Sequence, residues 1–186
     1  DFLYFVDSDD YIKSDAFEYL LSMLLKHNAD ISFAPYVYVN ENYEIIEKKK
    51  NEEEKLIIYS NVEAVEAFLE WQIPCCICDK LFKKQLFHNI RFMEGYLCED
   101  LNIVYKLLAL SNKVVASNIS KYFYVTRETS QMRSNDGFAK LINSIILVID
   151  EMVEFYKKNY PTLYGKTLCY GLDEFFIYYA SISNKK

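Results

Sequence analysis

Phe2-Leu3-Tyr4-Phe5-Val6-Asp7-Ser8-Asp9-Asp10-Tyr11-Ile12 is the stretch on which the reading of this chain turns. An apolar run, Phe2 to Val6, gives way at once to a polar run, Asp7 to Asp10. Such a run reads as a buried strand that delivers a polar loop. In α/β sheets, ligands bind beyond the carboxyl ends of the strands. The carboxylates of Asp7, Asp9 and Asp10 repel one another, and a hard divalent cation with oxygen ligands would let all of them ionise. A solvated, helix-capping acidic turn accounts for the same residues equally well. An EF-hand loop is excluded, because Tyr11 and Ile12 stand where it needs an acidic or amide residue and then Gly. An aspartyl-phosphatase loop shares the strand-then-Asp pattern but usually carries a hydroxyl residue where Tyr11 stands.

Outward from this turn the chain alternates strands and helices. Ser14 is the expected N-cap of a helix running to Lys26, with Phe17, Leu20, Leu21, Leu24 and Leu25 on its apolar face. Residues 31–39 are rich in β-branched and aromatic side chains and read as one strand. Residues 40–55, with Lys48-Lys49-Lys50 and Glu52-Glu53-Glu54, read as an exposed hairpin or loop. A returning strand is expected at 56–59. Ser60 with Glu63 forms a capping-box pattern for a helix to about Trp71, and Pro74 marks a break. Residues 79–87 read as a short helix, 99–110 as an amphipathic helix, and 113–116 and 122–126 as strands. Helices are then expected at 138–158 and 163–179, separated by Asn159-Tyr160-Pro161. A strand that begins almost at the first residue needs neighbours, and these are expected upstream; a sheet edge left open that way favours self-association.

Composition narrows the function. At 186 residues the chain is the size of one domain with a small appendage, and 52% hydrophobic against 26% charged residues suffices for a buried core. A net charge of −6 argues against nonspecific nucleic-acid binding, which needs a basic face. No signal peptide or membrane-spanning run is visible; the longest apolar run, Ile145 to Ile149, is closed by Asp150-Glu151. Five cysteines, Cys75, Cys76, Cys78, Cys98 and Cys169, make an odd and crowded set. That suits reduced thiols of a cytosolic protein better than a disulfide framework, and no second Cys/His pair stands at zinc spacing.

Two further constellations carry chemistry. Glu99-Asp100 opens an amphipathic helix, where the dipole favours acids and where a carboxylate aimed into a cleft could serve as a general base. Tyr122-Phe123-Tyr124-Val125-Thr126-Arg127, followed by Ser130, places an Arg after a strand, fit for a phosphate clamp or a surface ion pair.

The order of these pieces resembles family 2 glycosyltransferases of the GT-A fold. The strand ending in Asp7-Ser8-Asp9-Asp10, the helix beginning Ser14-Asp15-Ala16-Phe17 and then Ala29-Asp30-Ile31 resemble the family's DxD region. Asp79-Lys80-Leu81-Phe82, Ile90-Arg91-Phe92-Met93-Glu94-Gly95 and Glu99-Asp100-Leu101 resemble its acceptor-side segment and Glu-Asp motif. Tyr122-Phe123-Tyr124 with Arg127 and Ser130 is similar to its closing Tyr-x-Tyr-x-x-Arg stretch. The resemblance covers roughly residues 1–134 and implies a partial GT-A domain, an α/β mixed sheet flanked by helices, without its N-terminal nucleotide-binding strands. Residues 135–186 would be a C-terminal helical hairpin.

The resemblance also implies roles. Asp9 and Asp7 would hold Mn²⁺ or Mg²⁺; Asp7, Asp10, Lys80 and Arg127 would bind the donor; Asp100 would be the catalytic base, supported by Glu99. The donor would be a nucleotide sugar, a UDP-sugar by family default, and the acceptor a glycan or lipid-linked hydroxyl in bacterial polysaccharide or surface-glycan synthesis. Transfer would invert the anomeric centre, in the cytoplasm or at the inner face of the membrane, with peripheral membrane association through the rest of the parent. The fragment alone is expected to be inactive. The rival readings are a metal-dependent nucleotidyltransferase or phosphohydrolase on the same acids, and a non-catalytic interaction fragment.

Overall fold

Asp30 shows how the sheet is assembled. Its carboxylate accepts hydrogen bonds from Lys83 Nζ (2.8 Å), the Asn112 backbone N–H (2.7 Å) and Asn112 Nδ2 (3.0 Å). Its own backbone N–H donates to the Lys113 carbonyl, and its carbonyl accepts from the Lys83 N–H. Burial alone would raise this carboxyl, but Lys83 and Asn112 outweigh it and hold it below its ordinary value. Asp30 thus joins three strand ends.

The structure is a computed structural model, and it describes residues 1–46, 53–126 and 135–183, with the side chains of 135–139 and 181–183 excepted. Its strands are β1 (Phe2–Tyr4), β2 (Tyr11–Ile12), β3 (Ile31–Phe33), β4 (Tyr36–Val39), β5 (Leu56–Ser60), β6 (Lys80–Lys83), β7 (Lys113–Ser117) and β8 (Tyr122–Val125). Its helices are α1 (Ala16–Lys26), α2 (Asn61–Leu69), α3 (Glu99–Leu110), α4 (Asn135–Asn159) and α5 (Tyr164–Ser183), with short 3-10 turns at Lys84–Phe87 and Pro161–Leu163. Two mixed sheets result: a five-stranded sheet in the order β1-β6-β3-β7-β5, and a three-stranded sheet in the order β2-β8-β4. In the first, β3 runs parallel to β7 and antiparallel to β6. In the second, β8 runs parallel to β4 and antiparallel to β2.

Contacts divide the chain into two units. The first comprises Asp1–Val65, Cys76–Arg91 and Lys106–Glu128 and contains both sheets. Leu20, Met23 and Leu24 of α1 pack there with Ala29, Ala34, Leu81 and Val115. Each such buried Leu is worth about 1.5–3 kcal/mol relative to exposure. The second unit comprises Glu66–Cys75, Phe92–Tyr105 and Thr129–Lys186. Aromatic packing dominates it: Tyr105 meets Phe68, Phe155 and Tyr156, and Tyr170 meets Phe68 and Trp71. Gly171 lets α5 approach α4 closely, since a Cβ there would meet Ile149 Cγ2 at 2.7 Å.

Several expectations hold. The α/β class, α3 over 99–110 and the capping box are all observed: Ser60 N–H donates to Glu63 Oε2 at 2.7 Å and the Glu63 N–H to Ser60 Oγ at 3.5 Å. All five cysteines are free thiols. Both C-terminal helices are observed, the first beginning at Asn135 rather than 138 and the second ending at Ser183 rather than 179.

Others need correction. Residues 79–87 are not a helix: Lys80–Lys83 is β6, buried between β1 and β3, and only Lys84–Phe87 turns as 3-10. Residues 31–39 are not one strand, because the chain breaks at Ala34-Pro35 and sends β3 and β4 into different sheets. The opening strand is shorter than the apolar run and sits half-buried at the end of the sheet order, paired among the described residues with β6. Helix α1 is rotated relative to its expected face. It buries Ala16, Leu20, Met23 and Leu24, while Phe17 is 45% and Leu25 61% exposed. Its N-cap is Asp15 rather than Ser14, and the Asp15 carboxylate bonds Lys121 Nζ at 2.5 Å instead of capping. Of the charged segment 40–55, residues 47–52 lie outside the described residues.

Candidate active site

Tyr122, on β8 and fully buried, organises the acidic turn that follows β1. Its hydroxyl accepts a hydrogen bond from the Asp7 backbone N–H at 3.2 Å and donates to Asp10 Oδ2 at 2.6 Å. The other oxygen, Asp10 Oδ1, accepts from the Val125 N–H at 2.8 Å, and the Asp10 N–H closes the turn on the Asp7 carbonyl at 3.2 Å. Both carboxylate oxygens of Asp10 are therefore engaged by β8, and the Asp7 and Asp9 side chains are left on the exposed side of the turn. Burial pushes the Asp10 carboxyl upward, opposed by Tyr122 and Val125, with the charges of Asp7 and Asp9 adding to the rise. Burial and Asp10 together raise the Tyr122 hydroxyl, so it stays a donor at neutral pH. The Cys78 thiol also touches this hydroxyl; its contact with Cys76 and its burial hold it protonated.

Tyr122→Phe removes a donor to one carboxylate and an acceptor for one N–H. The expected result is a loss of about 1–3 kcal/mol in urea unfolding and a looser turn. A variant with unchanged stability and unchanged protection of the Asp7 amide would show that the turn is held by other contacts.

The same sheet carries a cluster of tyrosines. Tyr36 and Tyr38 of β4 meet edge to face at 5.3 Å, and Tyr124 of β8 lies 5.5 Å from Tyr38 and 6.0 Å from Tyr36. Burial raises the Tyr124 hydroxyl, and Asp10, Tyr38, Asp7 and Asp9 add to that rise. The two-residue alternation of Tyr36, Tyr38, Tyr122 and Tyr124 was readable in the sequence; their convergence on one face was not, because it depends on the β4–β8 register Tyr36↔Tyr122 and Tyr38↔Tyr124.

Lys80, expected among the donor-binding residues, is fully buried. Its Nζ bonds Asp79 Oδ1 at 2.6 Å and the Cys76 carbonyl at 2.6 Å, and it lies 5.2 Å from the centre of the Phe33 ring. Burial pushes the Asp79 carboxyl upward, and Lys80 opposes that. Here the ammonium serves the interior of the fold. Arg127 and Ser130 lie outside the described residues.

Glu99 and Asp100 belong to the second unit, in the first turn of α3. Glu99 is exposed and Asp100 half-buried. Cys98 just before them sits at φ +64°, a left-handed conformation that costs a residue with a side chain about 1–2 kcal/mol. Burial pushes the Cys98 thiol up to about 11, although its hydrogen bond with Tyr178 works the other way.

Among the described residues, no group of three or more His, Cys, Asp or Glu side chains is arranged to hold a metal ion. With Asp10 committed to β8, the turn offers the carboxylates of Asp7 and Asp9, hard oxygen donors suited to Mg²⁺ or Mn²⁺. No described helix is long and apolar enough to cross a membrane.

No family model matches this sequence. Against curated proteins, the chain is 34% identical over 139 residues to the glycosyltransferase GlyA of Streptococcus pneumoniae, a match covering 69% of this chain and 19% of GlyA. It is 26% identical over 140 residues to the glycosyltransferase GlyG of the same organism, covering 72% of this chain and 46% of GlyG. The chain thus spans about a fifth of the first relative and under half of the second. Among solved structures, S. aureus TarS 1-349 in complex with UDP-GlcNAc matches 97% of this chain and 49% of its own with a TM-score of 0.59 at 19% identity. A longer S. aureus TarS structure matches 82% of this chain and 25% of its own with a TM-score of 0.52 at 16% identity. The chain is a homologue of bacterial glycosyltransferases, and its α/β fold, a mixed sheet flanked by helices, is the one found in TarS.

Proposed function

We propose that this chain is the part of a bacterial family 2 glycosyltransferase that holds the donor diphosphate and deprotonates the acceptor. The observation that carries the reading is the Asp7-Ser8-Asp9-Asp10 turn. Tyr122 and the Val125 N–H draw Asp10 inward, while Asp7 and Asp9 are exposed after β1. Homology to GlyA and GlyG supports sugar transfer, and the likeness to TarS crystallised with UDP-GlcNAc supports a UDP-sugar as donor.

Asp9 and Asp7 are the residues that would hold Mn²⁺ or Mg²⁺. A cation held there would supply positive charge to offset the negative charge gathering on the departing diphosphate. Asp10 keeps the turn in place. Asp100 takes the proton of the acceptor hydroxyl as its oxygen forms a bond to the anomeric carbon and the bond to the diphosphate oxygen breaks. A single displacement of this kind inverts the anomeric centre, as in inverting glycosidases with an alcohol in place of water. The acceptor is a surface glycan or lipid-linked saccharide, met at the cytoplasmic face of the membrane.

Calorimetry on the full-length protein tests the donor half. UDP should bind in the presence of Mn²⁺, and Asp9→Asn should weaken that binding roughly tenfold or more, about 1.4 kcal/mol for each factor of ten. UDP binding that ignores both Mn²⁺ and Asp9→Asn would remove the turn from donor recognition. Release of inorganic phosphate or pyrophosphate in place of UDP during turnover would point to hydrolysis or nucleotidyl transfer.

A further inference from the structure

Helices α4 and α5 hold the segment carrying the Glu-Asp pair. The chain ahead of α3 contains two left-handed residues, Gly95 at φ +80° and Cys98 at φ +64°. A left-handed residue with a side chain persists only where its surroundings impose it. Here the surroundings are specific. The Leu97 N–H donates to Ser144 Oγ of α4 at 3.1 Å, and Ser144 Oγ in turn donates to the Lys140 carbonyl at 2.8 Å, which turns its lone pairs toward Leu97. The Tyr178 hydroxyl of α5 is hydrogen-bonded to the Cys98 side chain. On the far side of the pair, Asn102 Nδ2 donates to Glu151 Oε2 of α4 at 2.7 Å. Ser144 and Asn102 are both almost wholly buried. These contacts reach residues 97, 98 and 102 and so bracket Glu99 and Asp100 on both sides.

We infer that Ser144, Glu151 and Tyr178 are positioning residues, through which α4 and α5 set the entry of α3 and with it the aim of Asp100. This rests on the reading of Asp100 as the base. A base must stand within hydrogen-bond reach of the proton it takes, and a misplacement of about 1 Å can cost a hundredfold in rate. A helix start that is correctly folded but free to pivot would therefore bind donor normally and turn over slowly.

The test uses Ser144→Ala and Tyr178→Phe in the full-length protein, both changes small enough to leave the fold intact. Amide hydrogen exchange over residues 95–102 should quicken several-fold while exchange over 104–110 stays the same. With UDP-GlcNAc as the probe donor, KM and Mn²⁺-dependent UDP binding should be unchanged and kcat should fall roughly 10- to 100-fold. Unchanged exchange over 95–102 in both variants would overturn the inference, and so would faster exchange with kcat intact. Asp100→Asn in the same assay separates the two ideas: wild-type turnover in that variant sinks the assignment of the base. If the wild-type protein transfers no sugar from any nucleotide-sugar donor, the functional reading fails, and the exchange measurement alone then decides whether α4 and α5 set the entry of α3.

Discussion

Asp100→Asn will slow sugar transfer by the full-length protein roughly 10²- to 10⁴-fold, the range contributed by a positioned general base. Asn keeps the shape of the side chain and its place in the first turn of α3 but cannot accept a proton. The structural cost is small. Losing one negative charge at a helix N-terminus weakens a dipole interaction worth about 0.3–1 kcal/mol, so the melting temperature should move by only a few degrees. Donor binding should not change, because Asp7 and Asp9 belong to a separate segment of the chain. The adjacent Glu99 is exposed, and Glu99→Gln should have the smaller effect. The readout is kcat at saturating donor, with UDP affinity measured alongside. Transfer at the wild-type rate in Asp100→Asn would mean that another group takes the proton. A loss of both kcat and UDP binding would mean that the change disturbed more than the base.

Lys80→Met should be the most damaging single change to stability, with an expected loss of about 3–5 kcal/mol in urea unfolding. The Asp79–Lys80 pair has no exposed side-chain surface at either partner, so water cannot screen the charge left behind. Asp79 would keep its carboxylate in the interior with neither oxygen paired to a cation, and its upward-shifted carboxyl would take up a proton to relieve part of the cost. The Cys76 carbonyl would lose its ammonium partner as well. The double variant Asp79→Asn/Lys80→Met should recover much of the loss, since replacing both members of a buried pair by neutral groups is far less costly than removing one. If Lys80→Met unfolds at the wild-type urea concentration, the pair does not hold β6 in place. If the double variant is no better than the single, the loss comes from the lysine stem packed near Phe33 and not from charge.

Legibility in the sequence followed the range of the forces involved. The capping box at Ser60–Glu63 and the bounds of α3 were readable because both depend on residues three or four apart in one helix. The acidic turn was readable as a cluster, but the division of labour within it was not. Asp10 is set apart from Asp7 and Asp9 only by Tyr122 and Val125, more than a hundred residues away. Asp30, part of the segment that resembled the family, turned out to bind three strand ends together, a role that exists only once Lys83 and Asn112 are beside it.

Residues 79–87 mark the limit most clearly. Leu81, Phe82, Leu86 and Phe87 are spaced to suit a helix as well as a strand, and a short apolar run does not choose between them. The choice was made by β1 and β3, which present unpaired backbone groups on both sides of Lys80–Lys83 and leave an extended chain as the conformation that satisfies them. For the same reason Ala34-Pro35 splits an apparently continuous strand between two sheets. The sequence by itself determined the fold class, the helix boundaries that rest on local capping and periodicity, and the places of the two acidic clusters in the chain. Tertiary structure alone decided strand partners, the phase of α1, the inward turn of Asp10 and the hold of α4 and α5 on the Glu-Asp segment, because each depends on backbone or side-chain hydrogen bonds between residues that only folding brings together.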